Sequence, residues 1–206
     1  MRGDEALLEF AGLMRRLRVE CPWKAAQTHR SLSRHLLEEA YETLEAIDSG
    51  DESGDWTHLR EELGDLLLQV YFHAVVAEQS GAFTLGDVAG DIAAKMVRRN
   101  PHVFADAGAD AGTDDLDPAA VNELWEAAKA TEKHRGAVTD GIPAALPALL
   151  YADKVLDRLE RAGTPVAPPE PDAGIGEALL AVVARARAEG VDPEQALRDA
   201  VRRRLP

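Results

Sequence analysis

Alternating apolar and polar β-branched residues, the pattern of a half-buried strand, are nearly absent from this chain of 206 residues. Ala, Leu, Glu and Arg dominate instead, and these residues favour helix. The segment 63–77 is apolar on almost every side of a helix, so this helix should be buried on more than one side. The sequence therefore predicts an all-α fold, a helical bundle.

Turn residues and caps divide the pattern into separate helices. Ser31 or Ser33 is expected to cap the second helix, and Thr84 with Asp87 forms a capping box at the start of the fourth. Polar or Gly-containing stretches predict loops at 20–31, 49–55 and 105–118. The predicted helices cover about residues 4–20, 31–48, 56–80, 84–99, 118–134, 147–162 and 175–204.

A formal net charge of −14 argues against binding to nucleic-acid polymers or anionic membranes, because both favour a basic surface. The single cysteine, Cys21, has no partner for an internal disulfide and fits a reducing compartment. No apolar run approaches the roughly 20 residues that span a bilayer, and the N-terminal residues carry acids where a secretory signal would carry bases. We expect a soluble, cytoplasmic protein without a membrane contact.

The acids concentrate in residues 36–65, which hold eleven Asp or Glu residues and one base. On a helix of about 100° per residue, Glu38, Glu42 and Glu45 fall in one sector, and Glu39 lies about 60° from Glu42. A solvated acidic face is the simplest interpretation of such a window. The spacing also allows a cluster of ligands on one side of the helix.

The following helix carries Glu62 and Asp65 one turn apart. If the two helices pack antiparallel, Glu39 and Glu42 come to lie opposite this pair. Four facing carboxylates without bases form a site for a hard divalent cation such as Mg²⁺. A di-iron site fits less well, because the Glu-x-x-His pairs of that design are missing from both helices.

A basic cluster, Lys95, Arg98 and Arg99, lies near the C-terminal end of the fourth predicted helix. Such bases either complement the helix dipole or hold phosphate groups, with Arg as a fork and Lys as a point charge. Acids that hold Mg²⁺ beside bases that hold phosphate are the components of phosphoryl-transfer sites.

Four motifs together resemble the MazG nucleoside triphosphate pyrophosphohydrolases: CPW followed by QTH, EEAYE at 38–42, ELGD at 62–65, and KMVRRNPHVF at 95–104. The resemblance extends over about residues 5–160 and continues in degraded form to the end. It implies an all-α fold, a dimer or higher oligomer, and Mg²⁺ as cofactor, with Mn²⁺ as a substitute. It also implies hydrolysis of nucleoside triphosphates at the α–β linkage to monophosphate and pyrophosphate, as in nucleotide-pool housecleaning or a stress response.

The resemblance also assigns roles to individual residues of this chain. Glu38 or Glu39 orients or deprotonates the attacking water. Trp23 serves either as a packing anchor or as a stacking platform for the base. The metal ligands are Glu39, Glu42, Glu62 and Asp65, and the substrate contacts are Lys95, Arg98, Arg99, Trp125 and Lys129. Packing is the alternative role of Trp125.

The chain departs from the family pattern mainly in its tail. Residues 174–204 echo 61–99, since both contain Gly-acid-x-Leu-Leu, an apolar helix, a Gly turn, a second helix and a basic cluster; shared Ala-rich composition is the alternative explanation. The tail keeps one motif acid, Glu177, and lacks the EExxE helix, so we expect it to be inactive and structural. The predicted parts are a catalytic domain at 1–105, an acidic loop with connecting helices at 106–162, a proline-rich linker at 163–174 and a half-repeat at 175–206.

Two further observations bear on function. Lys24 stands where many members of the family have Asp, and Asn100 stands where His is frequent. His58 lies on the same helix face as Glu62 and is either a support for that acid or a solvated side chain. A non-catalytic helical dimer that binds nucleotides or a partner protein is the alternative function. The intact set of four acids favours the enzyme.

Overall fold

The computed structural model describes residues 3–104, 117–132, 136–166 and 174–205, and these residues form helices and connecting segments without a strand. The all-α prediction is confirmed. Residues 105–116 of the predicted acidic loop and 167–173 of the predicted linker lie outside the described residues. The helices are α1 (Gly3–Glu20), α2 (Pro22–Ala26), α3 (His29–Ser53), α4 (Thr57–Gln79), α5 (Leu85–Arg99), α6 (Pro101–Phe104), α7 (Pro118–Glu132), α8 (Ala148–Arg161), α9 (Ile175–Ala188) and α10 (Pro193–Arg202).

The chain forms two compact units, Met1–Ala128 and Lys129–Pro206. In the described ranges no helix combines the length and apolarity needed to cross a bilayer. The boundary between the units falls within α7, whereas the four parts expected from the sequence place their boundaries elsewhere and stay a prediction.

In the first unit, α4 packs mainly against α3 and also contacts α1 and α5. Their shared core is apolar and consists of Ala11, Met14, Leu32, Tyr71, Phe72 and Val75. The predicted burial of the apolar helix is therefore confirmed for its second half, where Tyr71, Phe72 and Val75 lie in this core. It is wrong for Leu63, which is half-exposed in the single chain.

Helix α3 is longer at both ends than the sequence predicts. Its N-cap is Thr28, not Ser31 or Ser33: the Thr28 hydroxyl accepts from the Ser31 amide, and the Ser31 hydroxyl accepts from the Thr28 amide. The helix also continues through most of the predicted loop 49–55 and ends at Gly54, which has φ of 75°. Gly50 lies inside the helix, at a point where Trp56 packs so closely that no side chain fits. A Cβ at this position would lie 2.5 Å from Trp56 Cε3.

Proline begins two short helices that the sequence does not predict. Pro22 is the first residue of α2 and Pro101 the first of α6, so each of these short helices was missed. Proline suits the first helical position, because its missing amide proton would be unpaired there in any case. The predicted capping box of α5 is confirmed, since the Thr84 hydroxyl accepts from the Asp87 amide and the Asp87 carboxylate accepts from Thr84.

In the second unit, α8 packs against both α9 and α10. The helical stretch predicted at 175–204 consists of two helices, and the chain turns between them at Gly190, which has φ of 70°, as the Gly-containing turn of the repeat pattern predicts. Asp192 then caps α10, and Pro193 occupies its first turn. Arg187 on α9 donates to the carboxylates of Asp153, Asp157 and Glu160, all on α8.

Candidate metal site

The packing of α3 on α4 brings three glutamates together. One carboxylate oxygen from each of Glu39, Glu42 and Glu62 lies within 4.8 Å of the other two. Glu42 is exposed, whereas Glu39 and Glu62 are partly buried. Because Glu42 meets Glu62 while Glu39 meets the later residue Gln69, the helices run antiparallel, which is the condition under which the sequence places these acids opposite each other. We refer to Glu39, Glu42 and Glu62 as the carboxylate cluster.

Asp65, the fourth predicted ligand, is exposed and lies beside the carboxylate cluster but is not part of it. Its charge still acts on Glu39. Burial raises the pKa of Glu39 above its ordinary value, and repulsion from Asp65, Glu42 and Glu62 raises it further, while a hydrogen bond from Gln69 opposes the change. A divalent cation would relieve this repulsion, and carboxylate oxygens are the ligands that hard cations prefer.

Two side chains of α4, His58 and Gln69, contact members of the carboxylate cluster. His58 Nε2 lies 3.0 Å from Glu62 Oε1, so the structure places His58 in contact with a predicted ligand. Gln69 Nε2 donates to Glu39 Oε1 over 3.4 Å. Gln69 was missed by the sequence analysis. The available signal was a single amide within the apolar run, four residues after Asp65 and on the same helix face.

Glu38 forms a separate set of contacts on α3. Arg34 donates to its Oε1 at 2.9 Å, and His35 Nδ1 lies 3.1 Å from its Oε2. The hydrogen bond from Arg34 lowers the pKa of Glu38, which is exposed. The carboxylate therefore stays ionised, but it is not in the carboxylate cluster, and its assignment to the attacking water stays a prediction.

The predicted phosphate contacts differ in exposure. Arg98 is exposed and Lys95 partly buried, whereas Arg99 is buried with its guanidinium over the ring of Trp125. Lys129, the other predicted contact on α7, falls in the second unit.

Trp23 is half-exposed, and its surroundings leave both predicted roles open. Its ring centroid lies 6.4 Å from that of His35 and 6.5 Å from that of Phe72, so one side is packed. The ammonium group of Lys24, the residue that departs from the family pattern, lies 5.5 Å from the Trp23 centroid.

Comparison with known proteins relates this arrangement to a family. A sequence model of the MazG nucleotide pyrophosphohydrolase domain matches residues 27–104, which contain α3 to α6 and the carboxylate cluster. A Thermotoga maritima protein named nucleoside triphosphate pyrophosphohydrolase/pyrophosphatase MazG is 34% identical over 220 residues, covering 95% of this chain and 81% of the relative. The chain belongs to the MazG family.

Two other relatives show how the chain compares in length. An uncharacterized 26.1 kDa protein of Streptomyces cacaoi is 45% identical, and the match covers 94% of this chain and 77% of the length of that protein. A nucleoside triphosphate pyrophosphohydrolase of Mycobacterium tuberculosis is also 45% identical, over 78% of this chain. That match spans about half of the M. tuberculosis protein, 47% of its length.

The ligand set of this MazG-family chain fits a hard cation. The carboxylate cluster offers carboxylate oxygens from two helices and no sulfur. The imidazole of His58 contacts Glu62 and is not itself one of the three ligands. Such a set suits Mg²⁺ or Mn²⁺ better than it suits softer metals. Metal dependence is general in the family.

Proposed function

We propose that this protein hydrolyses nucleoside triphosphates between the α and β phosphorus atoms and releases the monophosphate and pyrophosphate. The observation that carries the proposal is the carboxylate cluster between α3 and α4, within the segment that matches the MazG domain. The names of the T. maritima and M. tuberculosis relatives support the same reaction class. We propose Mg²⁺ as the cofactor, with Mn²⁺ as a substitute.

In this proposal Glu39, Glu42, Glu62 and Asp65 hold the metal. A divalent ion bound there would supply positive charge next to the phosphate oxygens and lower the pKa of a bound water. Of the two predicted bases, Glu39 lies within the carboxylate cluster and Glu38 outside it, so Glu39 would be the closer of the two to a water held by the ion. Glu38 would orient the water from outside the cluster.

The remaining predicted contacts bind the nucleotide. Lys95 and Arg98 would neutralise the leaving pyrophosphate, because each has a positive charge that is at least partly accessible. Arg99 is buried against Trp125 and would act from that position, while Trp125, Lys129 and Trp23 are proposed to contact the nucleoside.

We also propose that the protein works as a homodimer. Apolar side chains remain exposed on the same two helices that carry the carboxylates: Leu37, Tyr41 and Leu44 on α3, and Leu63 and Val70 on α4. Each of them is at least 40% exposed in the single chain. A second copy over this surface would bury it and enclose the cluster on its open side.

The proposal also covers where the protein acts, its physiological role and its C-terminal tail. A cytoplasmic enzyme that removes unwanted nucleotides fits the family and the single cysteine. The tail is proposed to be inactive, because Glu177 is its single acid from the motif. A non-catalytic module that binds nucleotides or a partner stays the alternative.

The deciding experiment is product analysis. The purified protein is incubated with Mg²⁺ and each member of a panel of canonical and modified nucleoside triphosphates, and the products are separated. We expect monophosphate and pyrophosphate in equal amounts. Diphosphate and inorganic phosphate would contradict the α–β assignment, and binding without turnover of any substrate would favour the non-catalytic alternative.

A further inference from the structure

Gln69 is a buried amide within the apolar half of α4. Its side chain is 5% exposed, and it follows Glu62 and Asp65 by seven and four residues, so the three lie on one face of the helix. The Nε2 atom lies 3.4 Å from Glu39 Oε1, across the contact between α3 and α4. The Oε1 atom is buried and has no hydrogen-bond partner within the part of the chain that the structure describes.

The orientation of the Gln69 amide accounts for its unpaired oxygen. Buried polar atoms normally have a partner, so an unpaired one needs a specific reason. If the amide turned by 180°, its oxygen would face a carboxylate oxygen and both would be acceptors. In the observed orientation the Nε2 atom donates to Glu39. The Oε1 atom then stays unpaired, but the repulsion between two acceptor oxygens is avoided.

We infer that Gln69 is a positioning residue for metal binding: its amide donates to Glu39 and holds that carboxylate toward Glu42 and Glu62. The inference rests on the proposed metal site and names a residue that supports it. A ligand fixed before binding loses less rotational freedom when the ion arrives. Residues that hydrogen-bond to metal ligands typically change metal affinity by about 10- to 100-fold when replaced.

The neutral amide also suits this position better than the alternatives. An acid would add a further negative charge next to Glu39, which already lies within 4.8 Å of the carboxylates of Glu42 and Glu62. A lysine would compete with the ion as a permanent charge. An apolar residue would leave the partly buried Glu39 carboxylate without this donor.

The test uses Gln69→Met, which keeps the volume and removes the donor. Binding of Mn²⁺ to the full chain is measured without nucleotide, from the electron paramagnetic resonance signal of the free ion. We expect the dissociation constant to rise about 10- to 100-fold. The control is Leu68→Met, which places the same side chain one residue away among the core residues, and its Mn²⁺ affinity should equal that of the wild type.

Melting of the metal-free protein separates positioning from folding. Gln69→Met removes an unpaired buried oxygen but also the donor to Glu39, and because these two effects oppose each other the melting temperature should change little while the Mn²⁺ affinity falls. Equal Mn²⁺ affinity in Gln69→Met and wild type would overturn the inference, as would an equal loss in Leu68→Met. If Gln69→Met does not fold, Gln69→Asn replaces it, because the shorter amide stays polar but no longer reaches Glu39; unchanged affinity in that variant overturns the inference too.

The outcome also distinguishes this inference from the proposed function. A wild-type protein that binds Mn²⁺ while Gln69→Met binds it equally well overturns the role of Gln69 and leaves the metal site standing. A wild-type protein that binds no Mn²⁺ overturns the metal site and the role of Gln69 together.

Discussion

The guanidinium carbon of Arg99 lies 5.3 Å from the centroid of the Trp125 ring, and Arg99 is 8% exposed. This contact joins the end of α5 to α7 within the first unit. From the sequence, Arg99 is expected to contact the substrate, and Trp125 either packs or stacks on the nucleotide. The structure shows that each is also a packing partner of the other, so replacing either should affect folding as well as nucleotide binding.

We therefore expect Trp125→Leu to lower the free energy of unfolding by about 1–2 kcal/mol, through loss of a cation–π contact that is shielded from water. If Trp125 also contacts the nucleotide, KM rises more than kcat falls. Trp125→Phe keeps an aromatic face and is the matched control. Chemical denaturation and steady-state kinetics of the three proteins check this, and an unchanged stability of Trp125→Leu would contradict it.

Glu42 lies in the carboxylate cluster and is exposed, so its replacement separates activity from folding. Glu42→Gln should reduce kcat/KM by about 100-fold or more, because one metal ligand is lost. The melting temperature without metal should stay equal or rise, since one repulsive charge is removed. Glu45→Gln, an exposed position outside the cluster, should keep both values. A large fall in the metal-free melting temperature of Glu42→Gln would instead indicate a structural role.

The pH dependence of stability follows from Glu39. Its pKa is raised in the folded protein by burial and by neighbouring acids, so the folded state holds this proton more tightly than the unfolded state does. The contribution of Glu39 to the stability of the metal-free protein should therefore be lost as the pH rises from the ordinary pKa of glutamate through the raised folded value. The stability of wild type relative to Glu39→Gln should fall over this range. Thermal melts of both proteins from pH 4 to pH 8 with a chelator test this, and a difference that is constant or grows with pH would contradict it.

Added metal should stabilise the folded protein, because a bound cation offsets the repulsion among the acids of the carboxylate cluster. At a concentration about 100-fold above the dissociation constant, an ion that binds only the folded state adds about 2.7 kcal/mol to stability. We expect Mg²⁺ to raise the melting temperature of the wild type near neutral pH and to have little effect on Glu42→Gln. Calorimetry with and without a chelator measures the difference. An equal shift in both proteins would indicate that the ion binds elsewhere.

The carboxylate cluster could be predicted because helix periodicity places Glu39 near Glu42, and an antiparallel neighbour brings Glu62 opposite them. The resemblance to the MazG family pointed to the same acids as ligands. Gln69 was missed because its role depends on burial and on the distance to Glu39, which one helix pattern does not contain. Gly50 was misassigned because a glycine in a polar stretch resembles a loop, whereas here it makes room for Trp56. Pro22 was misassigned because proline both breaks a helix and begins one, and the neighbouring sequence did not distinguish the two.

The second unit depends on Arg187, which contacts three acids of α8 and is 21% exposed in its side chain. Arg187→Met should lower the stability of this unit by about 1–3 kcal/mol, because hydrogen bonds between charged groups are lost and partly buried carboxylates remain. If the tail is inactive, kcat should change little. Arg185→Met is the control, since Arg185 is 73% exposed and reaches Glu189 at 4.0 Å.

Asp157 gives this prediction a dependence on pH. Burial raises the pKa of Asp157, but hydrogen bonds and charge from Arg161 and Arg187 outweigh burial, and the pKa lies below its ordinary value. A carboxyl group with a lowered folded pKa contributes stability above its unfolded pKa, and this contribution is lost as the pH falls through the folded value. The difference in stability between wild type and Arg187→Met should therefore be full near neutral pH and shrink on acidification. Denaturation at pH 7 and pH 3 measures it, and an equal difference at both pH values would rule out Asp157 as a main partner of Arg187.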